Sequence, residues 1–85
     1  MKQYDIILSA MINNRNKKIW YAVDFQDKEK PYFVGYEASP RMSELSKIYP
    51  ELLIKGWDGR FRTLEINWEY ENINKFIEEY GICKN

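Results

Sequence analysis

The chain has 85 residues, no histidine, a single cysteine and a formal charge of zero. A chain of this length makes one small domain, 1–85, with a thin core, and 45% apolar with 16% aromatic residues exclude a disordered segment. Neutrality argues against a dedicated duplex-DNA binder, which carries a basic excess to displace counterions, and the lack of histidine removes the commonest general base and metal ligand together.

Residues 4–12, YDIILSAMI, alternate between Tyr4, Ile6, Leu8, Ala10 and Ile12 on one side and Asp5, Ile7, Ser9 and Met11 on the other. Period two with β-branched residues predicts a strand. Asp5 interrupts the apolar run and no small-residue cleavage site follows, so the segment does not read as a signal peptide, and no run approaches the roughly 18 residues of a membrane span. The polar NNRNKK (13–18) predicts a turn, IWYAVDFQ (19–26) a second strand, DKEKP (27–31) a charged loop and YFVGYEA (32–38) a third strand. Connections this short predict an antiparallel meander.

The period changes at 38–49. Ser39 suits an N-cap, Pro40 suits the first helical position, and Met42, Leu45, Ile48 and Tyr49 recur at helical spacing until Pro50. Residues 51–57 and 60–68 predict a hairpin around Asp58-Gly59, in preference to a kinked helix running on to Gly56. With Asp58 and Gly59 central, Trp57 faces Arg60, Gly56 faces Phe61, Lys55 faces Arg62 and Leu53 faces Leu64. Lys55, Trp57, Arg60 and Arg62 then emerge on one face, and Phe61 covers Gly56 on the other. Leu64, Ile66 and Trp68 share the face of Arg62, which requires a face that is buried at its base and wet at its tip, or a bulge. Tyr70, Ile73, Phe76, Ile77 and Tyr80 form the stripe of a last helix. Glu65, Glu69 and Glu71 lie before or within its first turn, and Gly81 supplies a left-handed stop on which Ile82 folds back.

The expected fold is therefore α+β: a small antiparallel sheet in the order β-β-β-α-β-β-α, with two helices packed mainly on one face. Five strands are too broad for two helices to cover on both sides. With Ile6, Leu8, Val23 and Phe25 toward the helices, Ile7, Met11, Trp20 and Ala22 are left on the open face, an apolar patch of the kind that meets a partner.

No phosphate-binding glycine motif is present, since the glycines stand alone at 35, 56, 59 and 81. Asp24, Asp27 and Glu29 lack the ordered ligand spacing of a calcium loop and share it with Lys28 and Lys30, so no metal and no cofactor are expected. The one cysteine, Cys83, has no internal partner, which fits a reduced cytoplasmic setting.

The expectation from these features is a non-enzymatic protein–protein interaction module. By association with other small lone domains, a phage- or mobile-element inhibitor that covers a host protein's surface fits this description. Its partner-binding residues are Trp20, Met11 and Ile7 on the sheet face and Trp57, Lys55, Arg60 and Arg62 at the hairpin tip. The same patch also fits a homodimer. The alternative is single-stranded nucleic-acid binding through Trp57, Arg60 and Arg62, with bases stacked on the indole. A third reading is a histidine-free ribonuclease in which Arg60, Arg62, a tyrosine and a glutamate share acid–base and phosphate work. Residues 65–85 carry a net charge of −3, which reads as a solvated helix or as an arm docking on a basic surface.

Overall fold

The computed structural model describes residues 3–81 and shows an α+β domain: three helices packed on a three-stranded antiparallel sheet. The order is α1 (Gln3–Asn13), β1 (Trp20–Tyr21), a 3₁₀ turn (Ala22–Phe25), α2 (Ala38–Ile48), β2 (Leu53–Asp58), β3 (Phe61–Ile66) and α3 (Ile73–Tyr80). The strands lie in the order β1-β3-β2, which makes β2 an edge strand. The expectations for Cys83 and Ile82 fall outside the described residues.

The class holds and the predicted strand order does not. The first predicted strand is α1. Read at helical spacing, Tyr4, Ile7, Leu8 and Met11 make one stripe, and Ile7, Leu8, Ala10, Met11 and Ile12 are buried. The second predicted strand stops after two residues. The Asp24 carboxylate accepts the Tyr21 N–H at 2.7 Å, and the chain winds into the 3₁₀ turn. That turn brings the Phe25 ring to 5.2 Å from Trp20, stacked at 17°. Five residues of straight strand would separate them by about 16 Å. The third predicted strand is a loop. The N–H groups of Val34 and Gly35 both donate to the Phe25 carbonyl, at 2.7 and 3.0 Å, and Gly35 takes φ +102°, so no ladder forms.

The helix predicted at 38–49 is present as α2 and ends before Pro50, with Tyr49 at its C-cap. It begins at Ala38 rather than after Ser39, which places Pro40 within the first turn, where a missing N–H breaks no intrahelical bond. The aromatic stripe of α3 holds too. Phe76 meets Tyr49 edge-on at 5.2 Å and stacks on Tyr80 at 6.4 Å, and Ile73 and Ile77 pack against the core. Burial, with Tyr49 and the carboxylates of Glu79 and Asp5 nearby, pushes the Tyr80 hydroxyl well above the usual tyrosine range. Gly81 caps α3 in extended rather than left-handed geometry. What fixes glycine there is space, because a Cβ would run into the Ile77 carbonyl. The glutamates expected to face the helix start lie ahead of it, Glu65 on β3 and Glu69 and Glu71 in the preceding turns.

The core is continuous from α1 through Trp20 and Phe25 to Met42, Leu45, Leu52 and Leu64. Trp20 is 1% exposed, its indole N–H donates to the Lys17 carbonyl at 3.1 Å, and Tyr32 meets it edge-on at 5.5 Å. Two backbone–side-chain bonds tie the chain ends: Ser9 Oγ and Asn13 Nδ2 both donate to the Tyr80 carbonyl, at 3.2 and 3.0 Å.

A polar clasp joins α1 to α2. The Tyr4 hydroxyl donates to Glu44, which also takes Arg41, and Arg41 reaches Glu37 at 3.2 Å. The bond to Glu44 raises the Tyr4 pKa above its ordinary 10.0, and the same bond lowers that of Glu44 below 4.5. The raised tyrosine contributes stability below about pH 10 that is lost as pH rises through its folded value. The lowered glutamate contributes stability above the ordinary carboxylate range that is lost as pH falls through its folded value. Tyr4→Phe is therefore expected to be less stable than the parent near neutrality. The difference should shrink both below about pH 4 and above about pH 10, read from urea midpoints across that range. A constant difference at all pH values would mean that the clasp contributes packing alone.

Candidate functional site

The two groups of residues that the sequence offers for partner binding separate in the structure. Ile7 (0% exposed), Met11 (1%) and Trp20 (1%) are sealed inside the monomer. They do not form a surface, and this corrects the expectation that they anchor a partner or a second copy. The physical reason is the conversion of the first strand to α1, whose Ile7 and Met11 turn into the core, while Trp20 on β1 lies beside Leu64 on the sheet face that meets the helices.

The hairpin group stays together. β2 and β3 pair as Leu53↔Ile66, Lys55↔Leu64, Gly56↔Thr63, Trp57↔Arg62 and Asp58↔Phe61, leaving Gly59 and Arg60 as the two central turn residues. The turn thus sits one residue later than expected. With Asp58-Gly59 central, a type I′ turn would demand positive φ at both. With Gly59-Arg60 central only the first position does, and Gly59, at φ +62°, is the residue that takes it without strain. Moving the turn by one residue changes each partner by two, so the faces are kept. Lys55, Trp57 and Arg62 share a side, while Arg60 belongs to the turn and Phe61 now faces Asp58 rather than Gly56.

That shared side is buried at its base and wet at its tip. Leu53, Leu64, Ile66 and, from β1, Trp20 lie against the helices. Beyond them Trp57 is 64% exposed, and the Arg62 guanidinium lies 4.8 Å from its ring centroid. Phe61, on the opposite side, is 66% exposed, with Ile54 half exposed two pairs along the same side. Large aromatic side chains are thus exposed on both faces of the tip, which projects as a two-sided finger. Among the described residues Lys55, Arg60 and Arg62 make no ion pair, nor do Arg15, Lys28, Lys30, Lys47 and Lys75, whereas Lys17, Lys18 and Arg41 are paired with Asp24, Glu65, and Glu37 and Glu44. Asp58 is turned away from the cations: it accepts a 2.6 Å hydrogen bond from the Tyr21 hydroxyl on the Phe61 side, which raises the Tyr21 pKa.

Other polar groups are otherwise engaged. Asp24 holds Lys17 and the Tyr21 N–H, and Asp27 accepts the Glu29 N–H at 3.0 Å, so the acidic loop is a folding device. Among the described residues no group of three His, Cys, Asp or Glu side chains lies close enough to hold a metal ion. None of their helices is long and apolar enough to cross a membrane. An open depression of about 830 Å³ lies among Ile12, Asn14, Arg15, Lys17, Tyr32 and Ile77, and contains none of the residues that sequence offers for partner binding. Sequence reasoning missed Phe61 and Ile54 as surface residues. Their signal was available in the alternation with Asp58 and Glu65, which marks that side of the hairpin as the polar one.

No family model matches the chain, and neither a comparison with curated proteins nor one with solved structures returns a match.

Proposed function

We propose that this protein is a non-enzymatic binding module that engages a protein partner through the β2–β3 tip and acts by occupying the partner's surface. The observation that carries the reading is the tip itself. Trp57 and Phe61 stand two-thirds exposed, back to back on one hairpin, beside three cations that make no ion pair among the described residues. Leaving two large aromatic rings in water forgoes on the order of 1.5–3 kcal/mol each, and aromatic and arginine side chains are the types that dominate interface energies.

The same cluster supports one other reading. An indole already stacked with a guanidinium, flanked by Lys55 and Arg60, is a surface on which a single-stranded base can lie. The test separates the two. The tagged protein is used to capture partners from its source cells after nuclease treatment, beside a Trp57→Ser/Phe61→Ser variant. Both substitutions are at exposed positions, so the variant should melt within a few degrees of the parent. The expected result is a nuclease-resistant protein that rebinds the purified domain at a fixed stoichiometry and binds the double variant at least tenfold more weakly. A protein that binds both forms equally would remove the tip from the interface. A captured species that vanishes with nuclease, with affinity falling steeply in salt, would establish the nucleic-acid reading instead.

A further inference from the structure

We propose that the partner supplies an extended acidic segment, which pairs with the free edge of β2 and extends the sheet by one strand. The inference rests on the reading of the tip as a protein-binding surface, and it names what that surface takes.

The backbone argument comes first. Asp58 and Phe61 flank a two-residue turn, and residues in that position exchange both backbone bonds. Bonded pairs recur every second residue, so Gly56 with Thr63 and Ile54 with Glu65 are the others. The residues between them, Lys55 and Trp57, aim their N–H and C=O groups the other way, toward a side on which the sheet has no strand. The Leu53 N–H is already taken by the Tyr49 carbonyl at 3.1 Å, which ends the free edge at its base. What remains is a short ladder of two donors and two acceptors beside the exposed Trp57. Strand addition uses such a row for affinity and alternate side-chain sites for specificity.

Charge chooses the occupant. A strand laid along β2 places every second side chain on the face of Lys55 and Trp57, over whose ring the Arg62 guanidinium reaches from β3, and the rest on the face of Ile54 and Asp58. Among the described residues Lys55 and Arg62 make no ion pair, nor does Arg60 in the adjoining turn, so side chains arriving on this face are favoured when acidic. Those arriving beside half-exposed Ile54 are favoured when apolar. A second copy pairing β2 with β2 would instead bring two sets of three cations together, and a lysine on an edge strand is a recognised guard against that outcome. A nucleic-acid strand offers phosphate acceptors but no row of donors for the carbonyls of Lys55 and Trp57.

The test uses the full 85-residue chain, ¹⁵N-labelled, and a capped peptide of sequence Thr-Glu-Val-Glu-Val-Glu-Thr. Two relatives are N-methylated, one at the glutamates and one at the valines; a third carries lysine for glutamate. A ten-residue oligo-dT and sedimentation of the protein alone complete the set. Titration by NMR is expected to shift the Lys55 and Trp57 amides and slow their hydrogen exchange, with one N-methylated peptide binding at least tenfold more weakly and the other nearly as well. The difference arises because only one set of peptide N–H groups points at β2. The lysine peptide should not bind. Equal binding of both N-methylated peptides, tighter binding of oligo-dT, or a dimer formed through β2 would each overturn the proposal. If no peptide binds while the captured protein is still lost by Trp57→Ser/Phe61→Ser, the strand-addition proposal fails and the tip remains the interface. If that variant keeps its partner, the reading beneath it fails as well.

Discussion

Trp20→Ala is expected to unfold the domain or lower its melting temperature by more than about 15 °C, while Trp57→Ala should lower it by no more than a few degrees. The two tryptophans sit on the same side of the same sheet, and sequence gives them the same role as anchors. Their surroundings differ. Trp20 is fully enclosed, stacked on Phe25, met edge-on by Tyr32 and hydrogen-bonded through its indole N–H to Lys17. Removing such a ring costs roughly 3–5 kcal/mol in transfer and cavity terms. At about 0.05–0.15 kcal/mol per residue, a chain of 85 residues has roughly 4–13 kcal/mol in total, so that loss takes a large share. Each kcal/mol moves the midpoint of a domain this small by roughly 4–8 °C. Trp57 is 64% exposed and stacks with the Arg62 guanidinium, a contact worth about 0.5–1 kcal/mol at an exposed site. Thermal melts followed by circular dichroism decide the matter. A Trp20→Ala protein melting within about 5 °C of the parent would mean that the indole is not the keystone of this core.

What sequence shows clearly in this chain is local, and what it hides is long-range. The stripes of α2 and α3, the stop at Pro50 and the hairpin with its shared face for Lys55, Trp57 and Arg62 all come from residues within a few positions of one another. The 4–12 segment is ambiguous for a physical reason: it is so apolar that both periods fit. Alternation selects Ile6, Leu8 and Ala10, and the helical stripe selects Tyr4, Ile7, Leu8 and Met11. What arbitrates is tertiary structure: the buried side of α1 packs against α2, α3 and β3, and its polar residues reach Glu44 and the Tyr80 carbonyl. The second strand fails for a related reason. Ile19, Tyr21, Val23 and Phe25 alternate well, but Asp24 captures the Tyr21 N–H and the Trp20–Phe25 stack rewards a turn over extension. As for the candidate site, half of it was legible. Charge and aromatic content at 55–62 mark the tip, and its shared face survives because the turn moved by one residue and each partner by two, where a slip of one would have exchanged the faces. The sheet-face group depended on a count of strands, and that count failed with the first element.

Ser9→Pro is expected to abolish the folded state or remove at least about 3 kcal/mol of stability, with Ser9→Ala losing about 1 kcal/mol. Ser9 lies in the interior of α1, as its seventh residue, where its N–H belongs to the helix ladder. A proline ring there deletes that bond and collides with the carbonyl four residues back, at Asp5, a combination worth about 3 kcal/mol or more. Ser9 also donates to the Tyr80 carbonyl at 3.2 Å, one of two bonds that hold the end of α3 against α1, and an ordinary hydrogen bond contributes about 1 kcal/mol net. The alanine variant removes that bond together with the one Ser9 Oγ accepts from Asn13 Nδ2 at 3.2 Å, and it keeps the helix. The proline variant adds the first, and the difference between them reports the conformation of the segment. Were residues 4–12 an edge strand, a proline at an outward-facing N–H would be tolerated at far smaller cost. Urea unfolding of the three proteins gives the numbers. A Ser9→Pro protein within about 1 kcal/mol of Ser9→Ala would remove α1 and, with it, the reason why Ile7, Met11 and Trp20 are withdrawn from the surface.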